Sequence, residues 1–226
     1  RRIDRLVQPG ETYYFRIGGT LDDVLVRVAN MVLESGDTVL VFGTNLADDI
    51  SFDANTTAPH LLTVNGVSYS FNQHVASQFI IGGGAGRDSL RLDDSDGNDA
   101  VVVRPGRTVA GVPQMALTTM TNNSGDYMLE AAGFEMVFAN ARGSGYDTAE
   151  IHDTDAPDKF KAEGDTAFLR GGAYFTRARG YEQVVAISSS DGDLSVLEGT
   201  ATPDIFIGGS DESRLYSERQ GVRLYD

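Results

Sequence analysis

A twelve-residue frame that occurs four times constrains this chain more than any other feature. Each copy opens and closes on an aspartate, with an apolar residue four places after the first, a Gly or Asp six places after it, and then a Thr or Ser. The copies are Asp37–Asp48, Asp88–Asp99, Asp147–Asp158 and Asp193–Asp204, so the frame recurs after 51, 59 and 46 residues. Internal repetition at such periods indicates a supersecondary unit stacked on copies of itself.

Within each frame the hydrophobic pattern is that of a β-strand. The second and fourth residues after the opening aspartate point to one side of an extended chain, and they are mostly apolar (Val39 and Val41, Leu90 and Leu92). A second block recurs in register with the frame, GFEMVFA from Gly133 and GYEQVVA from Gly180. The sequence therefore predicts an all-β protein, an elongated parallel β-helix or β-solenoid built from about four degenerate repeats. An antiparallel sandwich or barrel is the alternative, since many short strands separated by turns also fit it.

The repeats set the expected domain organisation. Residues 1–36 form an N-terminal strand or capping segment, and residues 37–226 form the repeats, with units starting near 37, 88, 147 and 193. Residues 114–126 (QMALTTMTNNSGD) interrupt the second unit and are predicted to be an inserted loop. Asn65-Gly66, between Leu62 and Phe71, is predicted to turn a pair of strands.

Composition excludes several classes of partner and site. The formal net charge is −15 and lysine occurs only at Lys159 and Lys161, which argues against nucleic acid or an anionic membrane as the main partner. No apolar run is long enough to span a bilayer. The chain has no cysteine, so disulfides and thiolate metal sites are impossible.

One turn matches a known calcium-binding pattern. Residues 83–90 (GGAGRDSL) have the G-G-x-G-x-D-x-apolar form of calcium-binding RTX β-rolls, in which glycines permit the turn and oxygens bind the ion. Asp147 and Asp193 end weaker versions of the same element. The sequence-based candidate calcium ligands are therefore Asp88, Gly84, Gly86, Asp147 and Asp193. The alternative is a glycine-rich corner in which each aspartate caps its own turn.

No catalytic constellation emerges from the sequence. His152, with Asp153 and Asp155, could ligate a metal or act as a base, but strand alternation places His152 outward. Arg91, Arg104, Tyr69 and Lys159 are residue types that polysaccharide lyases use, but no spacing groups them. We therefore predict no catalytic residues and no cofactor apart from the possible calcium.

The stretch from Asp147 to Phe160 (DTAEIHDTDAPDKF), taken with GYEQVVA, resembles the degenerate repeats of large secreted or surface proteins of planctomycete-type bacteria. The resemblance covers roughly residues 37–209 and implies an extracellular β-helical repeat protein. From it and the repeats we expect an extracellular or cell-surface structural module whose partners are copies of itself, stacked head to tail, and possibly an extracellular polysaccharide. The alternatives are a secreted β-helix lyase or epimerase and a calcium-dependent carbohydrate-binding or adhesion module.

Overall fold

The computed structural model describes residues 11–14, 16, 18, 30–109, 112–188 and 192–199, together with the backbone of the strands at 204–208, 213–217 and 224–225. This part of the chain is all-β and contains no helix. It forms an eleven-stranded sheet (sheet A), a nine-stranded sheet (sheet B) and a small two-stranded hairpin. The all-β prediction is confirmed.

The strands are listed here in chain order. They are β1 (Val32–Ser35), β2 (Thr38–Thr44), β3 (Asp49–Asp53), β4 (His60–Val64), β5 (Val67–Phe71), β6 (Gln78–Gly84), β7 (Ser89–Asp93), β8 (Asp99–Arg104), β9 (Arg107–Val109), β10 (Val112–Gln114), β11 (Leu117–Asn122), β12 (Met128–Ala132), β13 (Met136–Asn140), β14 (Thr148–His152), β15 (Lys159–Glu163), β16 (Thr166–Gly171), β17 (Tyr174–Arg179), β18 (Gln183–Ile187), β19 (Leu194–Glu198), β20 (Asp204–Gly208), β21 (Ser213–Ser217) and β22 (Leu224–Tyr225).

Each sequence unit has the same strand plan. The opening aspartate precedes a single strand in one sheet, and the closing aspartate begins a three-stranded antiparallel meander in the other sheet. In units 1 to 3 the chain then returns to the first sheet for one more strand. The meanders are β3-β4-β5, β8-β11-β12, β15-β16-β17 and β20-β21-β22. Successive units exchange the roles of sheets A and B, so the meanders alternate between the two.

Parallel pairing connects the units in a fixed pattern. Within units 1, 2 and 3 the single strands before and after the meander are neighbours, as in β2–β6, β7–β13 and β14–β18. Between units, the first meander strand pairs with the next opening strand, in β3–β7, β8–β14 and β15–β19. The last meander strand pairs with the last strand of the preceding unit, in β12–β6, β17–β13 and β22–β18. In the described part of the chain, β1 pairs with β2 of unit 1, and every other strand pair lies within one unit or between adjacent units.

The pairing differs from the predicted parallel β-helix, because both sheets are mixed. The physical reason is the tight turns that fold each closing strand back on itself. Asn65 and Gly66, with φ of 53° and 81°, join β4 to β5, as their sequence predicts for a hairpin turn. Gly164 and Gly172, with φ of 59° and 52°, lie in the turns on either side of β16.

The predicted inserted loop at residues 114–126 contains β11, which lies in the middle of sheet A. Thr118, Met120 and Asn122 alternate into the interior, and threonine favours strands despite its polarity. The part of unit 2 that units 1 and 3 lack is instead the β9–β10 hairpin. Of the predicted segment 1–36, most residues lie outside the described ones, and its described end forms β1 against β2.

The core lies between the two sheets and is supplied by alternate residues of each strand. At the unit 1 end it is aromatic, with the rings of Phe52 and Phe79 4.5 Å apart and the ring of His60 packed between Phe52, Phe79 and Tyr127. Burial lowers the pKa of His60 to about 4, so this histidine is a neutral core residue near pH 7. The turns that carry the aspartates close the same core at the strand ends.

Candidate functional site

Acidic residues at the starts of parallel strands form a hydrogen-bonded series that we call the acidic ladder. In each step, the carboxylate before one strand accepts the backbone N–H of the acidic residue before the neighbouring strand. In sheet B, Asp48 N–H donates to Asp88 (2.7 Å) and Asp88 N–H donates to Glu135 (2.7 Å). In sheet A, Asp99 N–H donates to Asp147 (2.8 Å) and Asp147 N–H donates to Glu182 (2.8 Å). Asp158 N–H donates to Asp193 (2.8 Å) in the last step.

The closing aspartate of a frame also holds its own turn. Thr44 donates its backbone N–H and its hydroxyl to Asp48, over 2.7 and 2.9 Å. Thr154 repeats this toward Asp158 over 2.6 and 2.7 Å. Ser95 does the same toward Asp99, with its hydroxyl 3.0 Å away. The hydroxyl residue and the closing aspartate of the frame are thus one capping motif, which explains why they recur together.

Three buried carboxylates meet where unit 2 joins unit 3. Asp94, Asp99 and Asp147 each offer an oxygen, and the three oxygens lie within 4.8 Å of one another. Asp94 accepts the backbone N–H groups of Arg142 (2.6 Å) and Gly143 (3.1 Å) through Oδ1, while its Oδ2 is buried and accepts no hydrogen bond from the residues that the structure describes. We call this group the first triad.

Ionising all three aspartates of the first triad is unfavourable, because the pKa of each is raised. Burial, together with the neighbouring aspartates, raises the pKa of Asp147 to about 7, although the Asp99 N–H opposes the shift. Burial raises the pKa of Asp94 to about 6 against the two backbone hydrogen bonds, and it also raises the pKa of Asp99. Three such carboxylates can lie together in a buried site only when a proton or a bound cation neutralises part of their charge.

Two tyrosines border the first triad. The hydroxyl of Tyr127 donates to Asp99 over 2.7 Å. Tyr181 is only 3% exposed, and its hydroxyl has no hydrogen-bond partner among the described residues. Burial raises the pKa of Tyr181, and the charges of Asp94, Asp147, Asp99 and Asp93 raise it further. An unsatisfied hydroxyl therefore lies in the field of the three carboxylates.

A second triad occupies the matching positions where unit 3 joins unit 4. Asp153, Asp158 and Asp193 also bring one oxygen each within 4.8 Å of the others. Asp193 is only partly buried and accepts the Ser188 hydroxyl. Burial favours a higher pKa for Asp193, but the hydrogen bonds from Ser188 and from the Asp158 N–H outweigh it and lower the pKa. Where unit 1 joins unit 2, Gly43 replaces the first aspartate and no triad forms.

The sequence-based calcium ligands lie at these junctions, though not in one site. Asp88, Asp147 and Asp193 are ladder residues at three successive junctions, and only Asp147 and Asp193 belong to triads. Gly84 and Gly86 lack side chains, which allows two stacked turns of the backbone to lie close together. A Cβ on Gly84 would lie 2.2 Å from Thr44 O, and one on Gly86 would lie 2.8 Å from Leu46 O.

Sequence reasoning missed Asp94, Tyr181, Glu135 and Glu182, and it considered Asp153 only together with His152 and Asp155. Two features of the sequence point to these residues. Frames 2 and 3 carry Asp where frames 1 and 4 carry Gly, and the glutamates of the GFE and GYE elements follow Gly-x as the opening aspartates Asp88 and Asp147 do. The catalytic candidates do not converge. Arg104 and His152 contact Glu150 on the outer face of sheet A, whereas Arg91 and Lys159 lie on the outer face of sheet B.

No family model matches this sequence, and no curated protein or solved structure is significantly similar to it. Within the described residues there is also no helix that is long and apolar enough to cross a membrane. The function must therefore be argued from the unit plan and the junctions themselves.

Proposed function

We propose that this chain is a non-enzymatic, extracellular structural module, a β-solenoid whose units add end to end. The observation that supports the proposal most is the pairing pattern, in which units pair only with adjacent units. Proteins built this way have stabilities that are roughly sums of unit and neighbour terms, and they extend by adding units. The resemblance of the frame to repeats of secreted surface proteins favours the same role.

The outermost strands at the unit 4 end support end-to-end addition. Within the part of the chain that the structure describes, β19 pairs only with β15 and β20 only with β21, whereas the corresponding strands of units 2 and 3 have neighbours on both sides. Strand edges of this kind are templates for further pairing. A contact of one end with the other end of a second copy does not close on itself and so produces a filament.

Unit deletion tests the solenoid directly. Removing residues 88–146 joins Arg87 to Asp147, so an opening aspartate again follows the turn after β6. We expect the variant to fold, with a β-type circular dichroism spectrum and cooperative unfolding at a lower Tm. The matched control removes the same number of residues, 120–178, which joins the middle of β11 to the end of β17 and leaves the meander incomplete, so it should not fold. If both deletions behave alike, the units are not interchangeable and the solenoid is refuted.

Assembly has its own test. Electron microscopy and light scattering of the chain at increasing concentration, with calcium or with chelator, should show particles growing in one dimension. Dispersed monomers under every condition would contradict the filament proposal and leave the role of a rigid spacer.

A second function, divalent cation binding at the first triad, is favoured by specific observations. Asp94, Asp99 and Asp147 are at most 5% exposed, and Asp94 Oδ2 and the Tyr181 hydroxyl are buried without partners. Taking several charged carboxylates out of water is costly unless a counter-charge accompanies them. Calcium takes oxygen ligands of this type, so we propose Ca²⁺ as the occupant and these three carboxylates as ligands.

Calorimetry and thermal unfolding test this site. At pH 7.5, calcium should bind with measurable heat and raise Tm, with about 2.7 kcal/mol of stabilisation at a hundredfold excess over Kd. Asp94→Asn should abolish the effect. Asp96→Asn is the control, because Asp96 is exposed on the same turn. An unchanged Tm with calcium or chelator, without heat of binding, would rule the site out.

A further inference from the structure

The outer face of sheet B carries a row in which cations and aromatic rings alternate. Cross-strand register places Lys161 opposite Phe168, Phe168 opposite Arg177, Arg177 opposite Phe138 and Phe138 opposite Arg91. The five residues occupy five adjacent strands, β15-β16-β17-β13-β7. Because neighbouring strands are about 4.8 Å apart, the three cations follow one another at about 9.5 Å. We call this the basic-aromatic row.

Beside the row, two cations face each other directly. Lys159 on β15 is the register partner of Arg170 on β16, and both are exposed. Like charges directly opposite on a sheet are destabilising. Neither residue forms an ion pair within the described residues, although the chain carries a net charge of −15 that could have supplied one. Both lysines of the sequence lie on this face, so its positive character contrasts with the rest of the molecule.

Arg177 lies at the centre of the row and has no carboxylate partner among the described residues. Its guanidinium lies 5.2 Å from the centre of the Phe138 ring, and one nitrogen donates to the Asn140 side chain over 3.1 Å. Its Nε is buried without a hydrogen-bond partner. The outer cations are balanced, since Lys161 contacts Glu163 and Glu198 and Arg91 contacts Asp93. The unbalanced positive charge therefore lies at Arg177, Lys159 and Arg170.

The aromatic rings form a continuous surface between these cations. Phe175 lies 5.7 Å from Phe138 and 6.2 Å from Phe168, measured between ring centres, and all three are half-buried. Open aromatic faces carry partial negative charge and accept the C–H surfaces of sugar rings, while arginine binds carboxylates through paired hydrogen bonds. Because two cations of the row are already balanced by carboxylates, a fitting partner has to reach Arg177, Lys159 and Arg170 with its anions and cover the aromatic rings between them.

We propose that this face binds an extended acidic polysaccharide of the polyuronate type. Its carboxylates would contact Arg177, Lys159 and Arg170, and its sugar rings would lie on Phe138, Phe168 and Phe175. Nucleic acid fits less well, because a duplex carries one charge per about 1.7 Å and the acidic remainder of the chain would repel it more strongly than a polymer with one carboxylate per sugar ring. The inference is independent of the unit plan and of calcium at the first triad.

Affinity electrophoresis and calorimetry with polygalacturonate test the proposal at low and moderate salt. The wild type should bind polygalacturonate and not dextran, and added salt should weaken binding. Arg177→Gln and the double variant Lys159→Gln, Arg170→Gln should each reduce affinity at least tenfold, with Arg177→Lys restoring part of it. The matched control is Arg104→Gln, because Arg104 is an exposed arginine, like Arg170, on the outer face of the other sheet, sheet A.

Circular dichroism must first show that each variant keeps the wild-type fold and Tm to within a few degrees. Chelator should leave binding unchanged, which separates this face from any calcium-bridged contact. The proposal is overturned if polygalacturonate does not bind at low salt, if Arg104→Gln weakens binding as much as Arg177→Gln, or if duplex DNA binds at least as tightly as polygalacturonate.

Discussion

The junction between units 2 and 3 and the junction between units 3 and 4 are built from equivalent residues, but the pKa of the opening aspartate is raised at the first and lowered at the second. Both have an aspartate triad and the same ladder hydrogen bond, from Asp99 to Asp147 in one and from Asp158 to Asp193 in the other. In the first, burial raises the pKa of Asp147 to about 7, whereas in the second, hydrogen bonds keep the pKa of Asp193 below its usual value. Exposure accounts for the difference, since Asp147 is buried and Asp193 is only partly so.

The comparison shows that a repeated motif does not repeat its chemistry. The ladder hydrogen bonds depend on backbone positions, which the strand pairing fixes in every unit. The charge state depends on what covers the junction, and the first triad is covered by Tyr127 and Tyr181. Structural stacking is therefore common to all junctions, whereas cation binding is expected to be strongest at the most enclosed one.

The largest expected effect concerns the stacking that both junctions share. A Cβ on Gly145 would lie 1.9 Å from the carbonyl oxygen of Gly97 in the turn stacked against it, and Gly145 has φ of 142°. Gly145→Ala should lower the free energy of unfolding by on the order of 4 kcal/mol, from the overlap together with backbone strain. Chemical denaturation measures it.

Gly97→Ala separates the two contributions, because Gly97 has φ of 127° and open space around its Cβ position. It should cost about 1–3 kcal/mol from strain alone. Equal losses in the two variants would mean that close stacking of the turns contributes nothing.

How much of this could be predicted from sequence depends on the kind of interaction. The frame was visible because capping pairs such as Thr44 and Asp48 are local, and a four-residue spacing is readable in a sequence. The hairpin at Asn65-Gly66 was readable for the same reason. The triads were not, because Asp94 and Asp147 are far apart in the chain and meet only through the parallel pairing of β8 with β14. The basic-aromatic row is hidden likewise, since its five residues come from five strands.

The second prediction removes the ladder acceptor at each junction. Asp147→Ala leaves the buried Asp99 N–H without a partner, which should cost about 1–3 kcal/mol, or several degrees in Tm for a chain of this size. Asp193→Ala should cost less, because water reaches the partly exposed site and replaces the acceptor. Thermal unfolding of the two variants in chelator measures the contrast. A larger loss of Tm in Asp193→Ala than in Asp147→Ala would contradict the proposal that the junction between units 2 and 3 is the more enclosed of the two.

The third prediction concerns pH in the metal-free chain. Asp94 and Asp147 have folded pKa values of about 6 and about 7, above the ordinary value of 3.8. Between pH 4 and 7 the folded state therefore binds more protons than the unfolded state, so these two groups lower stability as pH rises through that window. Asp193 has a lowered pKa, so its contribution to stability has the opposite pH dependence and is lost only in more acidic solution.

Thermal unfolding in chelator from pH 4.5 to 8 should therefore show a Tm component that falls with pH. Asp94→Asn should reduce that fall, and Asp96→Asn should leave it unchanged. A wild-type Tm that rises steadily across this range, with the same slope in Asp94→Asn, would contradict the buried and protonated state of the first triad.

The smallest expected effect separates the hydrogen bond of the ladder from its charge. Glu182 accepts the Asp147 N–H, and its charge also contributes to the raised pKa of Asp147. Glu182→Gln keeps an oxygen acceptor but removes the charge, so the free energy of unfolding should change by less than about 0.5 kcal/mol, as for a conservative surface change. Glu182→Ala removes the acceptor and should cost about 1 kcal/mol. If Glu182→Gln and Glu182→Ala both cost about 1 kcal/mol, the ladder needs the charge at this position and not the acceptor oxygen. Equal and negligible losses would place Glu182 outside the ladder, because water would then serve the Asp147 N–H as well as the carboxylate does.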